Sequence, residues 1–196
     1  MKNADQLTDL LGEEIDQTVQ YLQNGKLILC ATDTIWGISC DAFNKEAYDH
    51  LSSIKNRKNN RPFVLLVSDI EMLKRYIKAP PPRIENLLVY HKRPITLVYK
   101  NSSLIPEHCV AQDDSVAIRI PKEPFIRQVI HRLDRPIAST SANISGAPYP
   151  KHFGEISSYI CNNVDYISKY GRDLSIGKPS PIFSFDEEGQ LLIIRE

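Results

Sequence analysis

The sequence lacks most of the features that assign a protein to a class at sight. Its four cysteines (Cys30, Cys40, Cys109, Cys161) form no CxxC pair, and no histidine stands at ligand spacing from them. That pattern argues against a zinc site or a disulfide framework and predicts free thiols in a reducing compartment. No apolar run approaches the roughly 20 residues that span a bilayer. The N-terminal MKNADQLTDLLGEEIDQ is acidic and amphipathic, unlike a signal peptide. The expectation is a cytoplasmic protein with no membrane partner and no metal of its own. Net charge is missing too: 24 Lys and Arg offset 24 Asp and Glu, so any polyanion site must be a local cluster. Neither GxxxxGK[ST] nor GxGxxG occurs, which removes the P-loop and Rossmann nucleotide sites. None of the five histidines stands near a GxSxG, so a Ser-His-Asp hydrolase finds no support.

What is present is an alternation of helical and strand patterns. Helices are expected at 5–24, 44–56 (with Asn44 as N-cap), 69–77, 83–90 and 123–133, and one more after residue 146. Buried strands are expected at 26–31, 63–67, 95–100, 115–120, 135–138 and 164–168. A hairpin should pair 181–185 with 191–195 across Glu187-Glu188-Gly189-Gln190. Apolar strands between helices argue an α/β layer fold, and the closing hairpin favours a mixed sheet over a parallel one. At 196 residues and 42% hydrophobic, with no linker or repeat, a single domain over 1–196 is expected.

Small polar and basic residues gather at four strand ends. Thr32-Asp33-Thr34-Ile35-Trp36-Gly37 follows the first strand: a tight turn around a core tryptophan, or a polar site beside a flat aromatic wall. Lys55-Asn56-Arg57-Lys58-Asn59-Asn60-Arg61 carries four cations within seven residues. Such a run is a solvated basic turn or an anion-binding loop beside a sheet. Ser115, Ala117 and Arg119 share one face of a strand by period-two alternation; Arg119 either reaches solvent or needs an anionic partner. The hydroxyl-rich Ile137-Ala-Ser-Thr-Ser-Ala-Asn-Ile-Ser-Gly146 is either a turn bonded to its own backbone or a loop that lets a ligand approach. Cations, hydroxyls and backbone amides together suit phosphoryl or nucleotidyl transfer, where positioning and charge neutralisation carry the catalysis.

In this order the segments resemble the YrdC/Sua family, the threonylcarbamoyl-AMP synthases. The family's P-T-[DE]-T-x-Y-G is similar to Ala31–Gly37, its K-x-R-P-x-x-x-P-L to Lys55–Phe63, and its P-G-P-x-T to Lys92–Thr96. Its [ST]-V-A-x-R-x-P matches Ser115–Pro121, and its P-[ST]-S-A-N-x-S-G is similar to Ser139–Gly146. The resemblance runs from about residue 7 to the end. It implies a twisted mixed sheet flanked by helices, with a basic cleft. It also implies an ATP-dependent nucleotidyltransferase that joins L-threonine and bicarbonate or carbon dioxide to AMP, releasing pyrophosphate, with Mg²⁺ carried on the ATP phosphates. The product would serve tRNA threonylcarbamoyladenosine modification through a separate transferase complex. By the same resemblance Lys55, Arg57, Ser141 and Asn143 are the catalytic group and hold ATP, with Arg61, Ser115, Tyr149 and Arg195 as further nucleotide contacts. Thr34, Arg119, Ser139 and Ser180 would hold threonine.

Several residues depart from the family pattern. Ala31 replaces a proline, Trp36 a tyrosine, Lys58 a proline and Arg93 a glycine, the last two adding charge near the cleft. Leu66 stands where some members carry a threonine-contacting histidine, and Pro181 replaces a threonine. The additional C-terminal domain of the long members is not expected after Glu196. Two other readings stay open: an RNA-binding module using the basic cluster, and a carbamoyl-phosphate-dependent transferase domain.

Overall fold

The first helix is amphipathic, and Ile15, Val19 and Leu22 form its buried stripe. The computed structural model describes residues 2–56, 62–78, 82–100, 102–174, 177–186 and 190–196. Helix α1 spans Lys2–Gln23 and packs on α5, Pro124–Leu133. It stops because Gly25 adopts φ 68°, a left-handed turn that costs a glycine little. A Cβ there would meet Asn44 Nδ2 at 2.5 Å. The other helices are α2 (Lys45–Ile54), α3 (Ile70–Tyr76), α4 (Pro82–Tyr90) and α6 (Ser158–Asn162). Asn44 caps α2 as expected, accepting from Ala47 N at 2.9 Å, and Asp69 caps α3 from Met72 N at 2.8 Å. Among the described residues, no helix is long and apolar enough to cross a membrane.

The strands are β1 (Ile28–Cys30), β2 (Gly37–Asp41), β3 (Val64–Leu66), β4 (Thr96–Tyr99), β5 (Val116–Arg119), β6 (Ile137–Ser141), β7 (Tyr166–Ile167), β8 (Ile182–Phe185) and β9 (Leu191–Arg195). They form one mixed sheet of order β7-β1-β2-β6-β3-β5-β4-β8-β9. Pairings β1·β7, β3·β5 and β4·β8 are parallel, and the remaining five are antiparallel. The result is an α/β fold with a mixed sheet flanked by helices, as the alternation predicts.

Two elements differ from expectation at the same place. Strand β2 is not foreseen, because Gly-Ile-Ser-Cys-Asp has no β-branched run. It is a strand because it is sandwiched between β1 and β6, where each neighbour satisfies its backbone groups. Strand β6 in turn extends through Ser139, Thr140 and Ser141, which the sequence reads as loop. Pairing with Gly37, Ile38 and Ser39 overrides the turn preference of those residues. The hydroxyls of Ser139, Thr140 and Ser141 therefore stand on a central strand. The hairpin β8·β9 forms as expected, with a register shift at Ile182/Phe183; its turn at 187–189 lies outside the described residues.

Candidate active site

At one end of the central strands the structure encloses a cavity of about 420 Å³. Arg119, the last residue of β5, sits between Leu66 of β3 and Thr96 of β4 in the sheet register. Its side chain lines the cavity and is buried. Nη1 donates to Thr34 Oγ1 at 2.6 Å, and Nη2 lies 4.0 Å from Asp33 Oδ1. Among the described residues Nε has no hydrogen-bond partner. Burial holds the guanidinium below its usual pKa, Asp33 opposes that shift, and the Arg195 charge adds to it. Arginine still remains charged, so a buried cation with an unused donor faces the cavity.

The Thr32–Trp36 turn is folded by its own side chains. Thr32 Oγ1 accepts from the backbone N–H of Thr34 and Ile35 and donates to Ile35 O at 2.7 Å. Asp33 Oδ2 accepts from Lys122 N at 2.5 Å, which ties the turn to the chain leaving β5. Across the cavity, Ser139 Oγ accepts from Ser39 Oγ at 2.9 Å. Gly37 keeps this region open, since a Cβ there would stand 3.1 Å from Ser139 Oγ and 3.4 Å from Thr140 O.

Beyond β6 the chain bonds to itself and to Lys55. Ser141 Oγ donates to Asn143 Oδ1 at 2.5 Å, and Asn143 Nδ2 donates to Ala147 O at 2.5 Å. Lys55, at the C-cap of α2, is buried and donates from Nζ to Ser141 O, Asn143 O and Asn143 Oδ1 at 2.8, 2.5 and 2.9 Å. Ser145 Oγ returns a bond to Lys55 O. The segment is thus both a self-bonded turn and a rim of the cavity. On the opposite rim Ser180 Oγ meets Thr96 Oγ1 at 2.7 Å, and Arg195 Nη2 donates to Ser180 O at 2.9 Å.

The structure brings Thr34, Arg119, Ser139, Ser141, Asn143 and Ser180 to one cavity, with Tyr149 and Arg195 on its wall. Lys55 reaches the same rim through its bonds. Arg57 and Arg61, with Lys58, lie outside the described residues. Ser115 does not join the cavity lining; its Oγ donates to Asp113 Oδ1 at 2.6 Å. It shares a face with Arg119, but four residues of strand separate them by about 13 Å.

Trp36 decides between the two readings of its turn. It is fully buried against Phe153, ring centroids 5.2 Å apart, and is a core residue rather than a wall of the cavity. Arg93 is exposed and away from the cavity lining, so its charge is not placed there. Leu66, by contrast, lines the cavity. Thr32, Ser39 and Thr96 are the residues that sequence reasoning left without a role. Thr32 and Thr96 stand inside recognised motifs, so a signal existed for both; Ser39 becomes meaningful only through its pairing with Ser139.

Comparison with known proteins gives the same answer over most of the chain. The Sua5/YciO/YrdC family model, described as telomere recombination, matches residues 20–196. A Methanocaldococcus jannaschii protein provisionally named threonylcarbamoyl-AMP synthase is 32% identical over 192 residues, 96% of this chain and 89% of that one. Moraxella catarrhalis threonylcarbamoyl-AMP synthase is 28% identical over 188 residues, 87% of this chain and 90% of the relative. The crystal structure of P. abyssi Sua5 complexed with L-threonine is 25% identical with a TM-score of 0.79. It covers 92% of this chain, which spans only 53% of that longer one. Motifs, fold and relatives converge, and the chain belongs to the Sua5/YciO/YrdC family.

Proposed function

We propose that this protein is a threonylcarbamoyl-AMP synthase that condenses L-threonine, bicarbonate or carbon dioxide, and ATP. The observation that carries the reading is the buried Arg119 guanidinium, which lines a cavity together with Thr34 and Ser139 and whose Nε has no hydrogen-bond partner among the described residues. A buried arginine with an unused donor calls for an anion, and an amino-acid carboxylate meets its planar fork. The names of the relatives and the threonine complex of P. abyssi Sua5 support the same ligand.

The reaction takes two steps. The threonine amine, neutral after losing its proton to solvent, attacks the carbon of carbon dioxide. The N–C bond forms as a C=O electron pair moves to oxygen and a second amine proton leaves to solvent, giving a carbamate; bicarbonate would instead release water. A carbamate oxygen then attacks the α-phosphorus of ATP. The bond from the α-phosphorus to the bridging oxygen breaks, and pyrophosphate leaves. No carboxylate or imidazole lines the cavity among the described residues. We therefore assign catalysis to positioning by Thr34, Arg119, Ser139 and Ser180, with charge stabilisation along the nucleotide. Ser141 and Asn143 form the rim on which the reacting carboxylate and α-phosphate meet. Lys55 holds that rim, and Arg57 and Arg61 supply phosphate contacts. Tyr149 and Arg195 flank the nucleotide, and Ser115 remains an outlying nucleotide contact of the family pattern.

The cavity's own oxygens are neutral hydroxyls and an amide, so the anionic ligands of a divalent cation would come from the nucleotide. Mg²⁺ bound to the ATP phosphates would supply charge neutralisation at the leaving group. The product would pass to a tRNA threonylcarbamoyl transferase complex in the cytoplasm.

The test is pyrophosphate release from ATP, with threonine and bicarbonate omitted in turn. Release that requires all three substrates is expected. An RNA-binding module would release none, and a carbamoyl-phosphate-dependent transferase would show no threonine dependence.

A further inference from the structure

Two buried hydroxyls behind the cavity decide which way the hydrogen bonds of its front hydroxyls run. Consider Thr32 first. Its Oγ1 stands 2.7 Å from Ile35 O, a carbonyl that can only accept, so the single Thr32 proton is committed there. Of the two Thr32 Oγ1 lone pairs, one is shared by the backbone N–H of Thr34 and Ile35 at 3.2 and 3.3 Å, and the other faces Thr34 Oγ1 at 2.9 Å. With the Thr32 proton committed to Ile35 O, Thr34 supplies the proton of that contact. Arg119 Nη1 meanwhile donates into a lone pair of Thr34 Oγ1 at 2.6 Å. One lone pair is left. Thr34 therefore faces the cavity as an acceptor and cannot donate.

Ser139 has the opposite arrangement. Ser39, fully buried and directly across the β2·β6 register, donates to Ser139 Oγ at 2.9 Å. Ser139 keeps its own proton for a ligand. We propose that Thr32 and Ser39 are positioning residues that give the two front hydroxyls opposite polarity, Thr34 accepting and Ser139 donating. The inference rests on the amino-acid reading of the cavity and adds a specificity rule to it. An amino acid bound by its carboxylate on Arg119 presents amine N–H groups to Thr34, and an oxygen lone pair to Ser139. A molecule with an acceptor in place of the amine would meet two lone pairs and be rejected.

The test compares Thr32→Val, Thr32→Ser and Ser39→Ala with the parent protein, measuring threonine and ATP affinity by calorimetry and KM for each substrate. Thr32→Val frees the Thr34 proton to turn into the cavity. Threonine affinity should fall about 10-fold with ATP affinity unchanged, a split that loss of folding would not produce. Thr32→Ser keeps the hydroxyl and should stay within about 3-fold of the parent. Ser39→Ala, which leaves the turn untouched, should weaken threonine several-fold by itself. Unchanged threonine affinity in Thr32→Val and Ser39→Ala overturns the proposal. So does equal weakening in Thr32→Val and Thr32→Ser, which would make the Thr32 methyl the important group. A parent protein that shows no threonine binding at all overturns the functional reading instead, and with it the polarity rule.

Discussion

Arg119 carries more of the proposed chemistry than any other described side chain. Burying a guanidinium is costly unless anions or acceptors surround it. Here Thr34 is its close partner, and Asp33 stands 4.0 Å away. Arg119→Ala is expected to raise KM for threonine about 10–100-fold while KM for ATP changes little, because hydrogen bonds to charged groups are the strong ones. Arg119→Lys should not restore binding, since it keeps the charge but loses the fork. Steady-state pyrophosphate release against each substrate measures both. A rise in both KM values alike would move Arg119 from the amino acid to a general structural role. Arg57 is argued from the family motif alone. Arg57→Ala should abolish turnover and leave the melting temperature within about 2 °C, while a drop above about 10 °C would mark it as structural.

At the scale of elements, the β2·β6 pair is the critical joint. Gly37 faces Ser141 in its register, and its missing side chain leaves room for the Ser139 hydroxyl. Gly37→Ala would press a methyl to 3.1 Å from Ser139 Oγ and 3.4 Å from a backbone oxygen. The hydroxyl can rotate away, but then it no longer faces the ligand. The expected outcome is weaker threonine binding at a small cost in stability, read by calorimetry beside thermal unfolding. Helix α3 shows how local chemistry sets an element's stability. Around Asp69, partial burial raises the carboxyl pKa, but the Met72 N–H, the Ser68 hydroxyl and His131 outweigh it, so the net shift is downward. A depressed carboxylate contributes stability above its ordinary range, and that contribution is lost as pH falls through the lowered value. Asp69→Ala should cost about 1 kcal/mol near neutral pH, and Asp69→Asn much less because it still caps. The alanine variant's deficit should shrink in acid, measured by urea unfolding at pH 7 and pH 3.

For the whole molecule, the thiols and the substrate preference report on the same packing. Cys30 is pushed up to about 12 by burial, with Glu123 adding to the shift, and Cys109 likewise by burial, with Asp41 adding. Cys40 is raised well above its usual value by burial, with Cys109 and Asp41 adding. At pH 8 these thiols are protonated and enclosed, so they should resist a thiol reagent while half-buried Cys161 reacts first. All four should titrate after denaturation without reductant, and fewer than four would contradict the free-thiol assignment. Selectivity should follow the cavity's polarity. Threonine should exceed serine by roughly 10–200-fold at most, since the difference is one methyl, with Leu66 among the apolar residues lining the cavity. Valine and alanine should fall further, because they leave a polar group unpaired. Valine turning over as well as threonine would refute this pocket.

Local chemistry was legible in the sequence wherever it is governed by neighbours along the chain. The amphipathic stripe of α1, the Asn44 cap, the buried apolar strands and the closing hairpin all follow from periodicity and capping preferences. The motifs also indicated that Thr34, Arg119, Ser139, Ser141 and Asn143 belong together, although nothing in their spacing says where they meet. Tertiary structure decided the rest. Strand β2 and the last three residues of β6 exist because each completes the other's backbone bonds, against their own propensities. Trp36 went to the core because its large apolar surface found Phe153. Ser115 fell outside the cavity because alternation sets a face but not a depth along the strand. Ser39 acquired a partner 100 residues away, and with it a direction for one proton. Periodicity is a property of consecutive residues; register and hydrogen-bond direction are properties of strands that meet only when the chain has folded.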